Sequence, residues 1–159
     1  MDDQQRAADR VVVGVDGSPS SRQALRWAVR QATLTGGTVW ALNAWDYPQY
    51  HGALGWLPPS SGDEDALEAR AREDLTRCVE ETLGARPPAE VRTEVQYGTP
   101  AGVLLRAARD ASLLVVGSRG LGGFAGLLLG SVAQHCAQHA ACPVVVVRED
   151  TAAGIGDDG

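Results

Sequence analysis

Five short apolar runs, each separated from the next by a helix-length segment, constrain this chain more than any other feature. They read "RVVVGVD" (10–16), "TVWALNAW" (38–45), "EVRTEVQYG" (90–98), "ASLLVVGS" (111–118) and "CPVVVVRED" (142–150). A continuous β-branched or apolar run has no solvent side, which marks a strand covered on both faces. The third run alternates apolar with polar residues and belongs nearer a sheet edge. Strands that alternate with helices pair in parallel through crossovers. The order β-α-β-α-β-α-β-α-β therefore predicts an α/β domain with a parallel sheet and helices on both faces. In such sheets ligands bind beyond the carboxyl ends of strands, where the crossovers change direction.

The connecting segments carry helix signals. Ser18 can cap the first helix and Pro19 suits its first turn, while Leu25, Ala28, Val29 and Ala32 share one face and Gly36–Gly37 ends it. The second helix covers 63–85, with Leu67, Ala71, Leu75, Cys78, Val79 and Thr82 inward and the pairs Glu68–Arg72 and Glu73–Arg77 outward. Thr99 and Pro100 open a short third helix, and "SVAQHCAQHAA" makes a fourth. Residues 1–9 read as a frayed polar start, 10–148 as one domain, and 149–159 as a disordered acidic tail. The segment 46–61 is a long loop with Tyr47, Tyr50 and Trp56. It reads as a lid, a partner contact, or a surface loop folded on itself.

Composition removes several function classes. The chain has 159 residues and a net charge of -6, which argues against a nucleic-acid surface. All 14 basic residues are arginine, so a phosphate-gripping lysine, a Schiff base and a lysine general base are excluded. The three cysteines include no CxxC pair and give no even disulfide framework, which suits a reducing cytoplasm. The polar start is not a signal peptide, and no apolar stretch reaches the ~18 residues of a membrane span.

"GSRGLGGFAGLLLGS" (117–131) holds six glycines in fifteen residues and is otherwise mostly apolar. It leaves the fourth strand and enters a helix. A helix N-terminus offers unpaired N–H groups and partial positive charge, and glycines let backbone amides approach an anion without a Cβ between. Gly117, Gly120, Gly122, Gly130 and Ser131 therefore outline a phosphate cradle, to which Arg119 can add charge. Hydrogen bonds to charged groups contribute about 1.5–3 kcal/mol each. Association costs about 4–15 kcal/mol, so a base-binding pocket must assist. Asp16 and Ala44 lie at or near the carboxyl ends of the first two strands and can wall that pocket. Asp16 can accept from ribose hydroxyls, help hold Mg²⁺, or merely brace the turn into the first helix.

The spacing G-x2-G-x9-G-S at Gly117, Gly120, Gly130 and Ser131 is followed by "VAQHCAQHAACPVVVVR", and the chain opens with "VVVGVDGSPSSRQAL". Together these motifs resemble the ATP-binding branch of the universal stress protein family, over nearly all of 10–148. The resemblance implies a five-stranded sheet of order 3-2-1-4-5, of the Rossmann type called adenine nucleotide alpha hydrolase-like. It implies adenosine contacts at Val15 and Asp16, a backbone contact to adenine at Ala44, and ribose and phosphate contacts at Gly117, Gly120, Gly130, Ser131 and Val132. It implies ATP, with Mg²⁺, as the ligand, a homodimer paired through the last strand (144–147), and a regulatory role in stress. A slow ATPase of the same fold and a dimeric scaffold that binds no nucleotide are the alternatives.

Other motifs fail on chemistry. "GLGGFA" matches a dinucleotide fingerprint but follows the fourth strand and lacks the acidic residue ~20 positions on. His135 and His139 have the spacing of a zinc-protease helix, yet Cys136 replaces the glutamate base. They read as surface histidines with Cys136 turned inward. Ser118 sits in "VGSRG", where Val116 breaks the nucleophile-elbow pattern. "VDGSPSS" lacks the double glycine of a pyrophosphatase-type loop.

Overall fold

The structure, a computed structural model, describes residues 9–46, 63–120 and 129–149. Gly122, nearly all of the 46–61 loop, residues 1–8 and residues 150–159 lie outside the described residues. The chain runs β1 (Arg10–Gly14), α1 (Pro19–Thr35), β2 (Thr38–Trp45), α2 (Asp63–Leu83), β3 (Glu90–Tyr97), α3 (Pro100–Ala108), β4 (Leu113–Gly117), α4 (Ser131–His139) and β5 (Val144–Val147). The strands form one sheet in the order β3-β2-β1-β4-β5. Every pairing is parallel, with Val12 opposite both Trp40 and Leu114. Among the described residues no helix is long and apolar enough to cross a membrane.

The apolar runs divide their side chains between two cores. Val11, Val13 and Val15 join Val39, Ala41 and Val115 under α1 and α2, where Leu25, Ala28 and Ala32 are wholly buried. Val12 turns the other way, with Leu42, Leu114 and Val116, toward Val103 and Leu104 of α3 and Cys136 of α4. A period of two in a run with no polar alternation thus feeds both faces, as a doubly wound sheet requires. Burial pushes the Cys136 thiol up to about 11, so it packs as a neutral hydrophobe.

Helix ends follow the local chemistry. Ser18 accepts from the Ser21 amide, and Thr99 accepts from the Gly102 amide. Gly36 closes α1, its N–H bonded to the Ala32 carbonyl. On α2, Leu75 and Cys78 are buried and Arg72 pairs with Glu68 at 3.0 Å. Arg77 reaches Asp74 at 3.6 Å instead of Glu73, one turn position closer. The polar edge strand β3 contributes Arg92, which with Arg10 flanks the Trp40 ring at 5.3 and 4.3 Å from its centroid. The indole, only partly buried against the α3-side core, is thus also covered by two cations.

Leu25 has no exposed surface and packs in the α1–sheet core, whereas Leu34 on the same helix is 83% exposed. Leu25→Ala should lower unfolding free energy by about 2–5 kcal/mol. Leu34→Ala should stay within about 0.5 kcal/mol of the parent. Urea unfolding of both variants checks this pair.

Candidate functional site

The crossovers leave β1 and β4 in opposite directions, so their carboxyl ends flank an open crevice. Beyond β1, the Val15 amide donates to the Leu42 carbonyl at 2.9 Å. The Val15 carbonyl accepts from Asn43 Nδ2 at 2.7 Å. These two bonds lock the ends of β1 and β2 together. Asp16 then turns the chain into α1. Its Oδ1 accepts from the Ser18 amide at 2.9 Å and from Ser18 Oγ at 2.5 Å. Asp16 does brace the turn, and its other oxygen, Oδ2, faces the glycine loop: a Cβ on Gly120 would lie 3.0 Å from it.

At the end of β4, Gly117 carries no side chain because α1 occupies the space. A Cβ there would come within 2.8 Å of both the Ser20 carbonyl carbon and the Ser21 nitrogen. Ser20 Oγ donates to the Arg119 carbonyl and accepts from the Arg119 amide at 3.3 Å. Ser20 and Ser21 are buried despite their polarity, and these backbone bonds satisfy them. The loop also closes on itself. The Ser118 amide donates to the Val147 carbonyl at 2.7 Å, and the Gly130 amide donates to the Ser118 carbonyl at 2.6 Å.

That last bond changes the role of one expected residue. The Gly130 amide is engaged within the loop, so Gly130 shapes the cradle while its N–H points at protein. The donors beside it belong to α4. This helix has Gly130 at its N-cap and no side-chain cap bond, unlike α1 and α3. The N–H groups of Ser131, Val132 and Ala133 are those a helix leaves without intrahelical acceptors. They carry its partial positive charge.

A cavity of about 430 Å³ occupies the crevice. Its size falls within the ordinary range for small-molecule sites, about 300–1,000 Å³. Val15, Asp16, Ala44, Gly117, Arg119, Gly120, Gly130, Ser131 and Val132 all border it. The fold thus brings together every expected site residue among those described, from three strand ends and one helix start. One wall is apolar, with Leu42, Val103, Leu104 and Val116. The polar part of the lining comes from the start of α4, Arg119 and Asp16. Such a cavity can take a flat apolar ring at one end and an anion at the other. Among the described residues no cluster of three or more His, Cys, Asp or Glu is arranged to hold a metal by itself.

Several structural contributors escaped the sequence reading. Asn43 is the one polar residue at the end of an otherwise apolar strand, and that interruption was its signal. Ser20 and Ser21 occupy the helical face that continues as Ala24, Leu25 and Ala28, where a polar side chain needs a buried partner. Leu104 gave no signal beyond its apolar character.

A doubly wound five-stranded sheet with a cavity at its switch point defines a Rossmann-type α/β protein. The sequence matches the universal stress protein family over residues 7–148, and the chain belongs to that family. A universal stress protein of Mycolicibacterium smegmatis is 38% identical over 138 residues, which cover 87% of this chain and 45% of that protein. This chain therefore spans less than half the length of that relative. The universal stress protein UspA of Lactobacillus plantarum superposes with a TM-score of 0.69 at 25% identity, over 89% of this chain and 98% of that one. A universal stress protein crystallised in complex with cAMP superposes with a TM-score of 0.61 at 26% identity, over the same shares.

The two loop glycines differ in what surrounds them, and this has a measurable consequence. Gly117→Ala drives a Cβ into the backbone of α1 and should cost about 1–3 kcal/mol of stability. Among the described residues Gly120→Ala meets a carboxylate oxygen at 3.0 Å and no backbone, so it should cost clearly less. Denaturant midpoints of the two variants, compared with the parent, give the order directly.

Proposed function

We propose that this chain binds ATP in the switch-point cavity, with Mg²⁺, and that nucleotide occupancy serves a regulatory role under stress. The observation that carries the reading is the N-terminus of α4, capped by a glycine, in the same cavity as Gly120 and Asp16. Phosphates would lie against the N–H groups of Ser131, Val132 and Gly120, with Arg119 adding charge. The adenine ring would sit toward Ala44 and the apolar wall. Ribose hydroxyls would donate to Asp16 Oδ2, or that oxygen would reach Mg²⁺ already bound by phosphates. A single carboxylate is enough for Mg²⁺ when phosphates complete its shell. The cation would supply neutralisation of phosphate charge. The cAMP found in a related universal stress protein supports an adenine nucleotide as the ligand class.

The same reading extends to assembly. β5 is the last strand of the sheet and pairs only with β4 among the described residues. Its four valines are all half-buried in the single chain. An apolar edge of this kind favours pairing with another strand. A homodimer joined through 144–147, in the cytoplasm, is the form we propose. Light scattering should return twice the chain mass; the mass of one chain at micromolar concentration would sink the dimer.

Calorimetry with ATP and Mg²⁺ tests the binding itself. The parent should saturate at one nucleotide per chain. Gly120→Val should lose binding while its far-ultraviolet circular dichroism stays native, because its side chain fills the approach to the loop. Asp16→Ala should weaken binding by about 10–100-fold, the loss of one hydrogen bond involving a charged group. Equal affinity in parent and Gly120→Val would place the phosphates elsewhere.

A further inference from the structure

The solvent side of α4 holds a second constellation of metal-binding chemistry, away from the cavity. His135 and His139 are both exposed, and their ring centroids lie 5.0 Å apart at a tilt of 46°. Two imidazoles that share one ion, with metal–nitrogen bonds of about 2.0–2.1 Å and a near-tetrahedral angle, place their centroids about 5 Å apart. The rings already stand at the separation a shared ion demands. The helix beneath them is held from the other side, where Ala133 and Cys136 are buried in the sheet core. Only side-chain rotation remains to be fixed when an ion arrives, which lowers the ordering cost.

The electrostatics agree with a cation. His139 is the last residue of α4, where unpaired carbonyls carry partial negative charge. Imidazole nitrogen suits zinc, nickel and copper, whereas Mg²⁺ and Ca²⁺ prefer oxygen. Among the described residues no third side chain completes a closed cluster. The remaining positions would therefore go to water, as in an open site.

We propose that His135 and His139 chelate one divalent transition ion of the zinc and nickel type on the exposed face of α4. Ser131, one turn before His135, borders the nucleotide cavity, so the helix would carry an anion contact at one end and a cation at the other. The metal site does not depend on the nucleotide reading. A chain without affinity for ATP would still bind the ion.

The test uses Ni²⁺ titrated calorimetrically into the untagged, nucleotide-free, full-length chain in a non-coordinating buffer. One equivalent should bind. Losing a mere supporting group costs metal sites about 10–100-fold, so His135→Gln and His139→Gln should each weaken binding by at least about tenfold. His51→Gln, at the remaining histidine of the chain, should leave it unchanged. Both α4 rings are exposed, so circular dichroism and melting temperature should match the parent in these variants. In the parent, paramagnetic Ni²⁺ should broaden the His135 and His139 ring resonances first. No binding at millimolar Ni²⁺, unchanged affinity in both α4 variants, or loss confined to His51→Gln would overturn the proposal.

Discussion

The first turn of α1 rests on bare backbone at Gly117, and the architecture of the crevice depends on that contact. Strand β4 ends where the helix leaving β1 begins, and no side chain fits between them. Ser20 contributes a hydroxyl that bonds both the main-chain N–H and the carbonyl of Arg119. The chain leaving β4 is thereby fixed against the chain leaving β1. Asp16, Ser18 and Ser21 continue the same network on the β1 side. Buried polar groups that are all satisfied in this way specify one arrangement over its neighbours.

From that contact the remaining geometry follows. With the start of the loop fixed, the Gly130–Ser118 bond returns its end to the same place, and α4 begins beside the crevice. Its N-cap is a glycine that supplies no side-chain bond, and the N–H groups of its first turn have no acceptor within the helix. The cavity lining is then of two kinds, leucine and valine on the one hand and the start of α4 with Asp16 on the other. A ligand with a flat base and an anionic tail would use both. An anion alone would recover little of the roughly 4–15 kcal/mol that association costs. The proposed division of labour agrees with the chain's lack of lysine: helix amides would do the work that an ammonium does in many phosphate sites.

The strand order and the two-faced core were legible because continuous β-branched runs leave few alternatives. Val11 to Val13 must bury both parities, and only a doubly covered sheet permits it. The order 3-2-1-4-5 came from resemblance instead, since strand runs alone do not say which neighbours pair. The cavity lining was legible at Gly117, Gly120 and Ser131 through their spacing. The reason for each glycine was not. Gly117 makes room for a helix, Gly120 faces a carboxylate, and Gly130 sends its amide back into the loop. The first two roles depend on residues about a hundred positions away, which no local pattern records. Asn43 and Ser20 stood out locally as polar residues on apolar faces, but their partners are carbonyls and amides distant in sequence.

Amide nitrogen–proton correlation spectra recorded during an ATP titration probe the central claim at the atoms concerned. If main-chain groups at the head of α4 hold the phosphates, the Gly120, Ser131 and Val132 amide resonances should move furthest and saturate together. The Gly102 amide, already bonded to the Thr99 side chain, should move least among the helix-start residues near the cavity. Saturable ATP binding that leaves the Ser131 and Val132 amides where they began would contradict the account.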